Sequence, residues 1–241
     1  MTGKWGKFLT LLCLLAASLA FAQDLKTAEE YYRQGKFSDA LQTYENILKN
    51  KPNDPFVYYN IGNCYFKMGS TGLAVANYYR AFKLAPRDAD IRNNLSLAMA
   101  GAGEKLVPGG VPEGLHKAFY WFSYNELKGL TFLALWLFCT LAAVWLVKRR
   151  FGRMSVAALG VLCILAGWTY IRWQGEKENL AVIAAPIAEI RSGPGTNFPA
   201  SASIAQGHLV TVQDAKDAWY EVVVKSQGIK GWVDSGAVEK I

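Results

Sequence analysis

The chain has 241 residues, of which 52% are hydrophobic and 19% charged, too apolar a mixture for a disordered segment or a nucleic-acid arm. Its formal charge of +7 is unevenly held: +2 from Lys4 and Lys7, +1 from Lys128, and +4 from Lys148, Arg149, Arg150 and Arg153. Residues 23–126 and 172–241 carry only +1 and −1, so no basic face remains to meet a phosphate backbone, and no nucleic-acid partner is expected.

The N-terminus reads as a secretory signal over residues 1–22. A basic start precedes the apolar run Phe8-Leu-Thr-Leu-Leu-Cys-Leu-Leu-Ala-Ala, and Ala20-Phe21-Ala22 supplies the small residues of a cleavage site before Gln23. Cys13 follows Leu11-Leu12 inside the apolar run, which does not suit lipidation.

Sliding the chain by 34 residues aligns Tyr31 with Tyr65, Gly35 with Gly69, Ala40 with Ala74, Tyr44 with Tyr78 and Pro52 with Pro86. This period and residue pattern resemble the tetratricopeptide repeat. Repeats are expected at 24–54 and 55–88, with a capping helix at 89–102 where Asn94-Leu95 matches Asn60-Ile61. Small residues (Gly62, Ala74, Ala40) let paired helices approach, tyrosines fill the seam, and prolines end each second helix. The resemblance implies an extended peptide bound on Tyr59, Asn60, Asn63, Phe66, Lys67 and Asn94. Asn63 and Lys67 are expected to point into the groove and away from the seam.

Residues 103–114 are rich in glycine and proline and read as a linker. Leu115, Ala118, Phe119 and Phe122 then fall on one helical stripe among Tyr120, Trp121 and Tyr124, as in a helix lying at a membrane surface, so 103–126 forms a linker and interfacial helix. His116 is expected to be a solvated neighbour of the headgroups.

Gly129 to Val147 and Met154 to Ile171 carry no charge over nineteen and eighteen residues. At about 1.5 Å per residue each spans roughly 27–29 Å, close to a bilayer core of about 30 Å. Transmembrane helices are therefore expected at 127–147 and 154–171, joined by the basic loop 148–153, which short-loop charge keeps cytoplasmic. Both soluble regions then face the periplasm of a bacterial inner membrane. With no ionisable residue, the spans are expected to offer no buried polar contact. Cys139 and Cys163 fall mid-membrane and Cys64 alone lies in an exported region, so no disulfide framework is expected.

Residues 178–241 change to β-branched residues and glycine turns. The line Ala188-Glu-Ile-Arg191-Ser-Gly-Pro-Gly195-Thr-Asn-Phe198-Pro, the pair Trp219-Tyr220 and the closing Gly231-Trp232-Val233 resemble the bacterial SH3 domain. That resemblance implies a small all-β barrel binding cell-wall peptides or short protein segments through Arg191, Phe198, Trp219 and Trp232. In the alternative reading both tryptophans belong to its core.

The expected fold class is thus a multidomain membrane protein: an all-α repeat array, two transmembrane helices and a small all-β SH3-like barrel. No Gly-x-Ser-x-Gly, His-Glu-x-x-His, phosphate-loop or Cys-x-x-Cys motif occurs, and the two histidines, His116 and His208, lie in different modules. No enzyme, catalytic residue, cofactor or metal is expected. The order of signal, repeats, two spans and SH3 domain resembles the BatE-like family of the Bacteroides aerotolerance (Bat) system. That resemblance implies a non-enzymatic assembly factor tied to oxidative stress, with von Willebrand A-domain membrane proteins and a MoxR-type ATPase as partners. The competing class is a cell-wall sensor or anchor whose SH3 domain binds peptidoglycan.

Overall fold

The computed structural model describes residues 22–241, so the expected signal segment lies outside the described residues except for Ala22. Helices α1 (22–33), α2 (Phe37–Asn50), α3 (Pro55–Lys67), α4 (Thr71–Leu84) and α5 (Ala89–Gly101) each pack on the next. Asp54 and Asp88 start α3 and α5 by accepting hydrogen bonds from the first free backbone N–H groups. The array holds two apolar centres. Ala28, Ala40, Tyr44, Ile47, Val57, Ile61 and Cys64 form the first, between α1, α2 and α3. Burial pushes the Cys64 thiol up to about 12, so it stays protonated and packs as a small apolar group. At Gly62 the seam leaves no room: a methyl placed there would lie 2.6 Å from the ring of Tyr78.

Helix α6 (Glu113–Phe119) is a short turn, followed by two long apolar helices, α7 (Tyr124–Lys148) and α8 (Gly152–Lys177). Both are long and apolar enough to cross a membrane. They pack as a hairpin, closed by a turn in which Arg149 and Phe151 take positive φ values of 55° and 67°. Helix α7 begins at a reciprocal cap: the Ser123 hydroxyl accepts from the Glu126 N–H, and the Glu126 carboxylate accepts from the Ser123 N–H. The helices do share a polar contact, contrary to the sequence expectation, because the Thr131 and Thr169 hydroxyls meet at 2.7 Å. Threonine can turn its hydroxyl to a neighbouring helix without carrying a charge, which a search for ionisable residues does not detect.

The stripe expected of the interfacial helix is broken. Leu115 is 62% exposed, whereas Phe119 and Phe122 turn inward onto the ring of Trp168. Arg172, only 6% exposed, donates to the carbonyl oxygens of Phe119 (3.4 Å) and Phe122 (3.1 Å) and lies 4.5 Å from the centre of the Tyr120 ring. One arginine at the end of α8 thus clamps the turn that leads into α7. His116 is also not solvated: it is 7% exposed, stacked 4.7 Å from the Tyr120 ring and 3.5 Å from an Arg92 nitrogen.

Strands β1 (Leu180–Ile183), β2 (Ile187–Arg191), β3 (Ala200–Ala205), β4 (Leu209–Lys216), β5 (Trp219–Val224), β6 (Ile229–Asp234) and β7 (Val238–Lys240) form an antiparallel sheet. Its order is β3-β2-β6-β5-β4-β1-β7, and every strand contributes to one apolar cluster that includes Ile183, Ile190, Ile204, Val222 and Val233.

The repeat array and the β-domain are docked. Val182 of β1 is buried in the second apolar centre of the array, with Ala74, Tyr78, Phe82 and Leu95, and Leu209 and Ile241 pack beside it. The Gln206 side chain bridges the loop between α3 and α4, donating to the Gly69 carbonyl at 3.1 Å and accepting from the Gly72 N–H at 3.3 Å. Arg80 of α4 binds the Glu239 carboxylate and the Lys240 carbonyl. Residues expected to be a free linker take part: Leu106 packs on the array, and Glu104 meets both His208 (3.0 Å) and Ser226 (2.5 Å). Lys83–Glu176 and Arg87–Glu126 ion pairs, at 2.7 and 2.6 Å, fix the array to the same end of the helical hairpin.

Candidate functional site

Two faces of this docked unit stay open. The first is a cavity of about 290 Å³ lined by Tyr32, Tyr59, Asn63, Phe66, Lys67, Tyr78, Asn94 and Leu97. Five of the six residues expected at the peptide groove meet here. Asn60 is set back, its amide donating to the Phe56 carbonyl at 3.0 Å and its oxygen accepting from Asn63 at 3.3 Å. The same 34-residue shift could have found two of the others, since Tyr32 is one period before Phe66 and Leu97 one period after Asn63.

Asn63 behaves differently from the sequence expectation. Its oxygen accepts from the Tyr78 hydroxyl at 2.7 Å and from the Asn94 amide at 3.1 Å, and Asn94 also donates to the Tyr59 hydroxyl at 3.0 Å. One carboxamide therefore joins α3, α4 and α5 and serves the seam as well as the groove. Tyr78 is buried, which holds its phenol well above the ordinary tyrosine value and keeps it a neutral donor. Lys67 is exposed and forms no ion pair among the described residues. The groove thus presents one free ammonium, the Tyr59 hydroxyl and the rings of Tyr32 and Phe66. That chemistry suits a peptide with a carboxylate and an apolar side chain.

The second face lies on the β-domain. In β5 and β6 the buried residues are Val222, Val224, Gly231 and Val233, so the alternate residues Trp219, Glu221 and Trp232 point outward. Both tryptophans are half-buried on that outer side, and the alternative that placed them in the core does not hold. Arg191 pairs with Trp232 across β2 and β6, while Trp232 opposes Glu221 and Trp219 opposes Asp234. Trp219 is thus the diagonal neighbour of Trp232 on one surface. The Arg191 guanidinium donates to the carbonyls of Thr196 (3.1 Å) and Phe198 (2.6 Å), holding the loop that carries Phe198 against the same edge, and pairs with Glu189. The register brings Arg191, Trp219 and Trp232 to one side of the domain, and the Arg191 hydrogen bonds hold the Phe198 loop beside them. A cation, two indoles and a phenyl ring offer stacking and hydrogen bonding to a short peptide. No group of three or more His, Cys, Asp or Glu side chains able to hold a metal occurs among the described residues.

Comparisons with known proteins agree with the two modules. Residues 28–69 match the family "TPR repeat", 55–88 match "Tetratricopeptide repeat" and 188–239 match "Bacterial SH3 domain". The chain is 28% identical over 72 residues to tetratricopeptide repeat protein 16 of Macaca fascicularis and 27% identical over 88 residues to that of Mus musculus. These stretches cover 30% and 36% of this chain but only 8% and 11% of the relatives. Among solved structures, the type III secretion translocator chaperone SycD of Yersinia enterocolitica is similar at 16% identity and a TM-score of 0.34, over 61% of this chain and 91% of that one. Yeast Tom70 is similar at 17% identity and a TM-score of 0.34, over 77% of this chain and 32% of that one. The chain therefore carries tetratricopeptide repeats and a bacterial SH3 domain beside two apolar helices, and both modules point to protein binding.

Proposed function

We propose that this protein is a non-enzymatic scaffold or assembly factor of a bacterial inner membrane, with both soluble domains in the periplasm and partners held on the two open faces. The observation that carries this reading is the docking itself. The sides of the array and the SH3 domain that face each other are consumed by Val182, Gln206, Arg80 and Glu239, while the Lys67 groove and the Arg191–Trp232 surface remain free. Such a unit presents two recognition faces at a fixed separation above a membrane anchor, which raises the effective concentration of one partner near the other. The module order supports a place in a Bat-type envelope system, with von Willebrand A-domain membrane proteins and a MoxR-type ATPase system as the partner class. Photo-crosslinking groups introduced at Lys67 and at Trp232 in living cells test it. Membrane proteins with von Willebrand A domains recovered from both positions support the reading; soluble periplasmic enzymes from both positions overturn it.

The outward tryptophans favour a second reading for one face, a cell-wall anchor. Sedimentation of the detergent-solubilised chain with purified peptidoglycan, abolished by Trp232→Ala, would assign the SH3 surface to the wall and leave only the groove for protein partners.

A further inference from the structure

A further cavity belongs to neither recognition face. It encloses about 650 Å³ between α5 and residues 104–121, within the range of roughly 300–1,000 Å³ common for small-molecule sites. Its lining combines the cations Arg87, Arg92, Lys105 and Lys117 with an apolar part formed by Leu106, Val111 and Trp121. Two of its cations are already matched, Lys117 by Glu113 at 2.7 Å and Arg87 by Glu126 at 2.6 Å, while the Glu104 carboxylate is turned to hydrogen bonds with His208 (3.0 Å) and Ser226 (2.5 Å). Arg92 and Lys105 form no ion pair among the described residues. Arg92 is half-buried over the Phe82 ring, and burial draws it below the usual guanidinium value while Glu113 works in the opposite direction. The cavity therefore holds two cations without an ion pair beside the apolar Leu106, Val111 and Trp121.

Its position decides which anion it suits. Arg87 ties the cavity to Glu126 in the first turn of α7, and Trp121 stands three residues before Tyr124, where that helix begins. Trp121 is 54% exposed, and Phe132 and Leu133 of α7, the helix that follows it, are exposed as well. An aromatic at this level marks a membrane–water boundary, where lipid phosphates lie. A free phosphate would leave the apolar part wet, and an acidic peptide has no need of a path into the bilayer.

We propose that this cavity holds the headgroup of an anionic phospholipid, with Arg92 and Lys105 meeting its phosphate and Val111 and Trp121 leading its acyl chains to the spans. The proposal rests on α7 and α8 crossing the bilayer, and its test keeps the two apart. The full chain is delipidated in detergent and titrated with phosphatidylglycerol or phosphatidylcholine, and bound lipid is counted by native mass spectrometry. Co-flotation with phosphatidylcholine vesicles checks the spans alone.

Phosphatidylglycerol is expected to bind about ten-fold more tightly than phosphatidylcholine, because the choline cation beside the phosphate of phosphatidylcholine repels Arg92 and Lys105 and leaves that headgroup with no net charge. Arg92→Gln with Lys105→Gln should erase the preference, while Lys36→Gln with Lys49→Gln, far from the cavity, should keep it. If the double variant melts early, Lys105→Glu on its exposed side chain gives the same readout. Equal binding of the two lipids in a chain that still floats overturns the proposal and spares the spans. So does displacement of the bound lipid by millimolar inorganic phosphate, or tighter binding of a polyglutamate peptide at the same residues.

Discussion

Gly72 of α4 and Ile183 of β1 meet backbone to backbone: a methyl placed on Gly72 would lie 2.2 Å from the Ile183 carbonyl oxygen and 2.9 Å from the Cα of Ala184. Beside this contact the Gly72 N–H donates to Gln206, so one residue supplies both the close approach and a hydrogen bond. Gly72→Ala is expected to push the domains apart and destabilise the full chain by about 1–3 kcal/mol, the usual range for overpacking. Thermal melting in detergent measures the loss, and hydrogen exchange should show faster exchange in residues 180–183 and 206–209 than in the wild type.

Asn63 and Lys67 should separate under mutation although both line the groove. Asn63→Ala removes the acceptor of the buried Tyr78 hydroxyl and is expected to cost about 1–3 kcal/mol of stability. Lys67→Ala should leave melting within about 0.5 kcal/mol, since an exposed side chain without an ion pair is lost. It should nevertheless weaken a carboxylate-bearing partner roughly ten-fold or more. Equal stability of the two variants would mean that the asparagine network is absent in solution.

Gly62→Leu should unfold the array at moderate temperature, because even a first carbon collides with the Tyr78 ring in the seam. Overpacking of about 1–3 kcal/mol is large against the margin of a small repeat array. Circular dichroism of the purified chain against temperature gives the midpoint.

His116 gives the stability a pH dependence. Burial, with Arg92 nearby, lowers its folded pKa below the ordinary value of 6.5, and Glu113 only partly offsets this. The unfolded chain then binds the proton more readily, so the stabilisation is complete above about pH 6.5 and falls as pH drops through the folded pKa. The melting midpoint should decline between pH 7 and pH 5, and His116→Gln should flatten that decline.

Much of the array could be read in the sequence because its determinants repeat: a shift of 34 residues sets Ala40 on Ala74 and Tyr44 on Tyr78, the small and aromatic positions that a helix pair requires. The SH3 domain was equally visible in its glycine and tryptophan positions. The docking was not, because its contacts have no period. Gln206 reads locally as a polar residue before a turn, and only the fold brings it to Gly69 and Gly72 across a separation of 134 residues or more. His116 and Arg172 show the same limit: each is a polar side chain in an apolar stretch, and its burial depends on Tyr120, a residue from another element or from the far side of a turn. In the groove, the residue types pointed to peptide recognition, whereas the bond from Tyr78 that gives Asn63 its second role required the geometry.

Lys83–Glu176 and Arg87–Glu126 hold the repeats at the end of the hairpin from which the SH3 domain continues. Reporters active only in the periplasm, fused after residue 102 and after residue 241, should both be active. Activity of only one would separate the domains across the bilayer.

The docked unit is tested most directly by zero-length cross-linking of an Arg80→Lys variant, which puts an amine opposite the Glu239 carboxylate that Arg80 binds. Lys230 and Glu221, 3.2 Å apart within the SH3 domain, provide an internal control in the same sample. Carbodiimide treatment of the dilute full chain in detergent, followed by peptide mass spectrometry, should join α4 to the C-terminal strand within single chains. Formation of the Lys230–Glu221 product without any link between position 80 and Glu239 would contradict the account.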